Sequence, residues 1–202
     1  MGCLKRLIIK LLVIAGIILF LISGGWIILR NQIDNFKNPA REIGIEGAKY
    51  FGDFEGVSSD YQIGRTVGAF GYKRLKVTNR PSSQKILFLE LKDKEYLTLK
   101  DFSGSGIEEK MDEFVKKFDN KFLGLEHLTI INKGVYQRKN PLNYAVFEAD
   151  VKNIPFKKVE GVIGIYQKKD DKNREHQFYV FSMRDKDKFS MKIFSDLIGE
   201  IK

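Results

Sequence analysis

Residues 106–120, GIEEKMDEFVKKFDN, place Ile107, Met111, Phe114, Val115 and Phe118 at three- and four-residue spacing, with Glu, Lys and Asp between them. That period puts the apolar side chains on one stripe of an amphipathic helix. On both sides of this helix the texture is that of strands. Upstream stand YQIGRTV (61–67), YKRLKV (72–77), KILFLEL (85–91) and YLTLK (96–100), short and rich in β-branched and aromatic residues, with turn clusters such as NRPSS between them. The last two are expected to pair as a hairpin.

Downstream come LTIINKGVYQR, the turn KNPLN and YAVFEADV (144–151). In the last of these Ala145, Phe147, Ala149 and Val151 face one way while Glu148 and Asp150 face the other. EGVIGIYQ and HQFYVFSM flank the polar loop 168–175 and read as a second hairpin. A closing helix from about Asp187 carries Phe189, Ile193, Phe194, Leu197, Ile198 and Ile201 on one stripe. Strands, helix, strands, helix describe an α+β domain, an antiparallel sheet with packed helices that include a carboxy-terminal one. In NPARE (38–42), Asn38 is expected to cap, and Pro39 to open, a short helix that Gly44 and Gly47 weaken.

Ahead of the domain, residues 11–29, LLVIAGIILFLISGGWIIL, contain no charge. As a helix they span about 28 Å, close to the hydrocarbon thickness of a bilayer. Trp26 near one end, with Lys10 and Arg30 at the flanks, suits the two interfaces. The segment is expected to be a single-pass anchor in contact with membrane lipid. A cleaved leader using Ser23 and Gly25 as its small pair is the competing reading, but the apolar run is too long for it and continues through Leu29. Cys3 precedes the apolar run, which excludes a lipoprotein cysteine, and Arg6 stands where the MGCLKR start would need Ser or Thr for acylation.

Lys5, Arg6 and Lys10 in the short tail argue for a cytoplasmic amino terminus and an extracytoplasmic domain, with Arg30, Lys37 and Arg41 pulling the other way. The chain thus divides into a tail and anchor at 1–30, a connector with a short helix at 31–54, and the α+β domain at 55–202.

The 202 residues leave room for one domain beyond the anchor. Sixteen Phe and eight Tyr against one Trp point to a core packed on aromatic rings. Of the net charge of +9, the tail holds three, leaving +6 spread over 30–202 among alternating acids and bases. A nucleic-acid partner is therefore not expected, since such binders gather positive charge on one face. Cys3 is the only cysteine, so the domain can hold neither a disulfide nor a thiolate metal site.

Candidate chemistry is sparse. SGSGIEEK (103–110) sets Gly104 and Gly106 before a helix, but its spacing is neither that of a P-loop nor of a dinucleotide fingerprint. Glu108 and Glu109 in the first turn would repel an anion. Ser105 as cap with Glu108 completing a capping box fits better. Gly64, Gly68 and Gly71 read as bulges or tight turns. His127 and His176, the only histidines, are expected at strand ends in surface roles, too few for zinc without carboxylate help. No Ser nucleophile elbow is present. Lys157, Lys158 and the 168–174 loop are cationic, with a solvated surface the default and attraction to anionic lipid the alternative. No catalytic, cofactor-binding or metal-ligating residue is nominated, and no cofactor is expected.

Over residues 55–202, ending on FSDLIGEIK, the order of elements resembles the Mog1 and PsbP-like domains, which join a central antiparallel sheet to an interrupting helix, a strand meander and a carboxy-terminal helix. The resemblance implies a binding or assembly factor more than a catalyst, and transfers no functional residue. The function expected is a membrane-anchored interaction domain for a protein or small ligand, with a membrane-tethered hydrolase using carboxylates as the alternative.

Overall fold

The computed structural model describes residues 38–202 except 70–71, 92–96, 105, 119–123, 153, 155–156 and 171. The expected anchor at 11–29 lies outside the described residues. Among those described, no helix is long and apolar enough to cross a membrane. From Arg41 to Lys202 the chain is one compact unit.

Among the described residues it holds three α-helices and eight strands: α1 (Arg41–Ala48), β1 (Tyr61–Ile63), β2 (Val67–Ala69), β3 (Tyr72–Asn79), β4 (Lys85–Leu91), α2 (Ile107–Phe118), β5 (Leu125–Tyr136), β6 (Leu142–Val151), β7 (Lys158–Lys169), β8 (Glu175–Asp185) and α3 (Met191–Glu200). All strand pairs are antiparallel, in the order β1-β3-β4-β8-β7-β6-β5, with β2 also on β3. This is the α+β class, with helices on both faces of the sheet.

Alternation along the strands decides what each face buries. On the first face Leu75, Val77, Ile86, Phe88, Val146, Val162, Tyr166, Phe178 and Val180 pack under α1, the 49–57 segment and α3, which contribute Ala48, Phe51, Phe54, Phe194, Leu197 and Ile198. On the second, Leu89, Ala145, Phe147, Ala149, Ile163, Ile165 and Tyr179 pack under Ile107, Met111 and Phe114 of α2. Three members of the expected stripe of α2, Ile107, Met111 and Phe114, are thus buried, while the side chains of Val115 and Phe118 lie outside the described residues. The split of YAVFEADV holds too, although Val146 is also buried, against the other helix layer, because the central strands are covered on both sides. The aromatic core is literal: Phe51, Phe54 and Phe88 meet at centroid distances of 5.4–6.1 Å.

Buried polar groups pin the layers. Tyr166 donates its hydroxyl to the Phe51 carbonyl at 2.6 Å, and Tyr61 to that of Ile193 at 2.8 Å. The fully buried Gln84 forms a two-way amide clamp on Ser190, donating Nε2 to its carbonyl and accepting its N–H through Oε1. Ser190 in turn caps α3, its hydroxyl accepting from the Ile193 N–H.

Four local expectations change. The closing helix, expected from about Asp187, starts at Met191, after a 3-10 turn over Lys186–Lys188. The sequence YQIGRTV is not one strand: Gly64, Arg65 and Thr66 separate β1 from β2, and both lie along β3. YLTLK is not the partner of β4, which pairs with β3 and β8. There the Asp101 carboxylate accepts from both the Thr98 N–H and hydroxyl, winding Leu99–Ser103 into a 3-10 turn. Asn38 and Pro39 precede the first helix, which starts at Arg41.

Of the two glycines that were expected to weaken α1, Gly44 lets it sit on the sheet. A Cβ on Gly44 would collide with the Ile63 carbonyl oxygen, a backbone atom that cannot swing away. Gly44→Ala is therefore expected to cost a net 1–2 kcal/mol or so, despite alanine's better helix propensity. Urea unfolding of the full-length protein in micelles measures this, and a gain in stability would mean that α1 can lift off without loss.

Candidate functional site

At one end of the first face the apolar rows give way to a polar one. Register sets Lys73 of β3 opposite Glu90 of β4, Glu90 opposite Phe178 of β8, and His176 of β8 opposite Lys168 of β7. The chain leaving α1 lays Tyr50 over this row. Tyr50 donates its hydroxyl to Glu90 Oε2 at 2.7 Å, and Glu90 Oε1 meets His176 Nδ1 at 2.6 Å. The other ring nitrogen, Nε2, faces Asp170 Oδ2 at 3.3 Å. Phe178 stacks on the imidazole at 6.2 Å and Tyr50 meets it edge-on at 6.1 Å. The side chains of Glu90, His176 and Asp170 are 14%, 24% and 26% exposed, so all three sit at the rim rather than in a closed cavity.

The surroundings fix the charges. Asp170 closes the β7–β8 turn, accepting from the backbone N–H groups of Arg174 and Lys172 and from the Arg174 guanidinium. Those bonds, Arg174's first among them, hold its carboxyl well below the usual carboxylate range. Burial first, and the bond to Glu90 second, push the Tyr50 phenol upward, so it remains a neutral donor. Lys73 Nζ lies 3.5 Å from the Tyr50 ring centroid, and Lys168 donates to the carbonyls of Lys49 and Tyr50.

His176 is therefore not the lone surface ring expected of it. Its partners come from positions 50, 90 and 170, which no sequence spacing connects, and only the hairpin tip at Asp170 was local enough to be read. The two carboxylates lie on opposite nitrogens, so they cannot close on one metal ion through the ring. Among the described residues no group of three His, Asp, Glu or Cys is placed to hold a metal.

The other candidates disperse. His127 is exposed, with φ at 52°, in a bulge of β5 beside Glu126 and near Glu108, Glu109 and Asp112. Ser105 lies outside the described residues, and the Glu108 carboxylate accepts from the Ile130 N–H of β5 rather than serving only its own helix. The Gly104 N–H is taken by the Asp101 carbonyl, which removes one donor from any phosphate cradle. Gly64 donates to Lys76, as a tight crossing between strands requires. Gly71 lies outside the described residues.

Lys157 pairs with Asp185, while Lys158 and Lys186 share Glu148, whose carboxyl they hold below its ordinary value. These lysines form a balanced network, and a lipid surface would meet little net charge there.

No family model matches the chain, and no curated protein matches it.

Proposed function

We propose that this chain is a single-pass membrane-anchored binding domain that holds a protein or small ligand outside the cytoplasm and performs no catalysis. The observation that carries the reading is the self-closure of the Tyr50–Glu90–His176–Asp170 cluster. Each carboxylate is engaged by donors of the fold, both imidazole nitrogens face carboxylates, and among the described residues no serine, threonine or further acid is held within hydrogen-bond reach of the ring to act as nucleophile or second acid. Such a cluster ties elements together instead of offering a base to substrate. The uncharged 11–29 stretch supplies the tether, and the resemblance of the sequence's element order to Mog1 and PsbP-like domains agrees with a binding role.

One geometric fact favours the second reading, a membrane-tethered hydrolase. Glu90 on Nδ1 orients His176 so that Nε2 points to the rim, as a carboxylate–histidine dyad would need. The deciding experiment compares wild type, Glu90→Gln and His176→Gln, each expressed at native level in cells lacking the protein. Photo-crosslinking in intact membranes is expected to trap the same partner or ligand, in similar yield, with all three forms. Loss of phenotype in both variants despite normal folding and retained crosslinking, together with turnover of ester or phosphoester substrates by wild type alone, would replace binding by hydrolysis.

A further inference from the structure

We propose that protonation of His176 latches the tip of the β7–β8 hairpin to the end of β4 and to the segment after α1, so that this corner closes in mild acid and loosens above neutrality. The inference does not depend on what the domain binds. It begins from the proton inventory of the ring. A neutral imidazole has one N–H, and its other nitrogen is a lone-pair acceptor. Here each nitrogen faces a carboxylate oxygen, Glu90 at 2.6 Å and Asp170 at 3.3 Å. Ionised carboxylates only accept. Only the imidazolium, a donor at both positions, satisfies both contacts at once.

Neither carboxylate readily supplies the missing proton. Asp170 is fixed in its anionic form by Arg174 and by two backbone N–H groups. Glu90 already accepts from the Tyr50 hydroxyl. When His176 loses its proton, one of the two carboxylates faces a lone pair and the contact becomes repulsive. The longer bond, to Asp170, is the one expected to open.

The remaining charged groups around the ring do not replace the lost bond. Lys168, its cross-strand neighbour, reaches the Lys49 and Tyr50 carbonyls. Lys73 lies over the Tyr50 ring, and Arg174 is on Asp170. Glu175, the neighbour of His176 on β8, is exposed. Three chain segments remote in sequence thus share one proton. The direction follows from the partners: the folded state gains two bonds with the proton bound, so closure is present on the acid side and is lost as pH rises.

Hydrogen exchange of the full-length protein in micelles, corrected for the intrinsic pH dependence of exchange, tests this. Peptides covering 168–176 are expected to open about tenfold more readily at about pH 8 than at about pH 5, the effect of one charge-assisted bond at a half-exposed rim. His176→Gln should abolish the difference. Asp170→Asn, which keeps the shape but presents an amide to Nε2, should abolish it as well and stands in if the first variant does not fold. A pH-independent wild type, or an undiminished difference in either folded variant, would overturn the proposal.

Discussion

Replacing Phe178 by alanine is expected to lower the folding stability by about 3–5 kcal/mol, near the top of the range for a single core substitution. Phe178 is 1% exposed and stands where the apolar core of the first face meets its polar rim. Its ring is 5.1 Å from Tyr166, 5.4 Å from Phe51, 5.6 Å from Tyr50 and 6.2 Å from His176. Strands on both sides hold the backbone, because β8 is paired with β4 and β7 at this position. The space left by the ring therefore cannot collapse, and the cavity term adds to the lost transfer energy.

A second signature separates this site from an ordinary core position. Tyr50 and His176 lose the surface that aligns them, so the pH difference in exchange at 168–176 should shrink along with global stability. Urea titration of the full-length protein measures the first effect. A loss below about 1 kcal/mol would mean that the aromatic cluster is loosely packed.

The same region shows what the sequence could and could not disclose. Period-two and period-3.6 patterns found β3, β4, β6, the β7–β8 hairpin, α2 and α3, because each buries a face large enough to leave its mark on neighbouring residues. YLTLK carries the same alternation, yet Leu99 and Lys100 open a 3-10 turn, since the short side chain of Asp101 captures the Thr98 N–H. In α1 the signal was inverted. Glycine reads as a weak helix former, yet Gly44 is what allows the helix to touch the β1 backbone.

The rim cluster left no trace because its geometry is made by the sheet. Tyr50 and His176 are 126 positions apart, and only the β3-β4-β8-β7 order sets their rows side by side. Local spacing carries information about faces. Which face meets which is fixed by pairing, and pairing of this range is not written in any short motif.

Deleting residues 1–30 is expected to move the protein wholly from the membrane pellet to the soluble fraction, with its fold intact. Thirteen of the nineteen residues at 11–29 are Leu, Ile, Val or Phe, each favouring insertion by about 0.3–0.6 kcal/mol near a helix centre, or roughly 4–8 kcal/mol together. None of the nineteen can ionise, so alkaline carbonate, which strips proteins held by charge, gives this segment no reason to leave. The remaining chain owns its core. The buried residues of both faces fall between Ala48 and Ile201, and the last residues close on the first layer through the reciprocal backbone bonds of Asp53 and Lys202.

Truncation should therefore abolish sedimentation without altering the urea midpoint. Protease added to intact spheroplasts should digest the domain of the full-length protein, as the cationic tail at Lys5, Arg6 and Lys10 implies when it stays in the cytoplasm. Release of the full-length protein by carbonate would remove the anchor. Protection of the domain until lysis would keep the anchor and turn the domain inward.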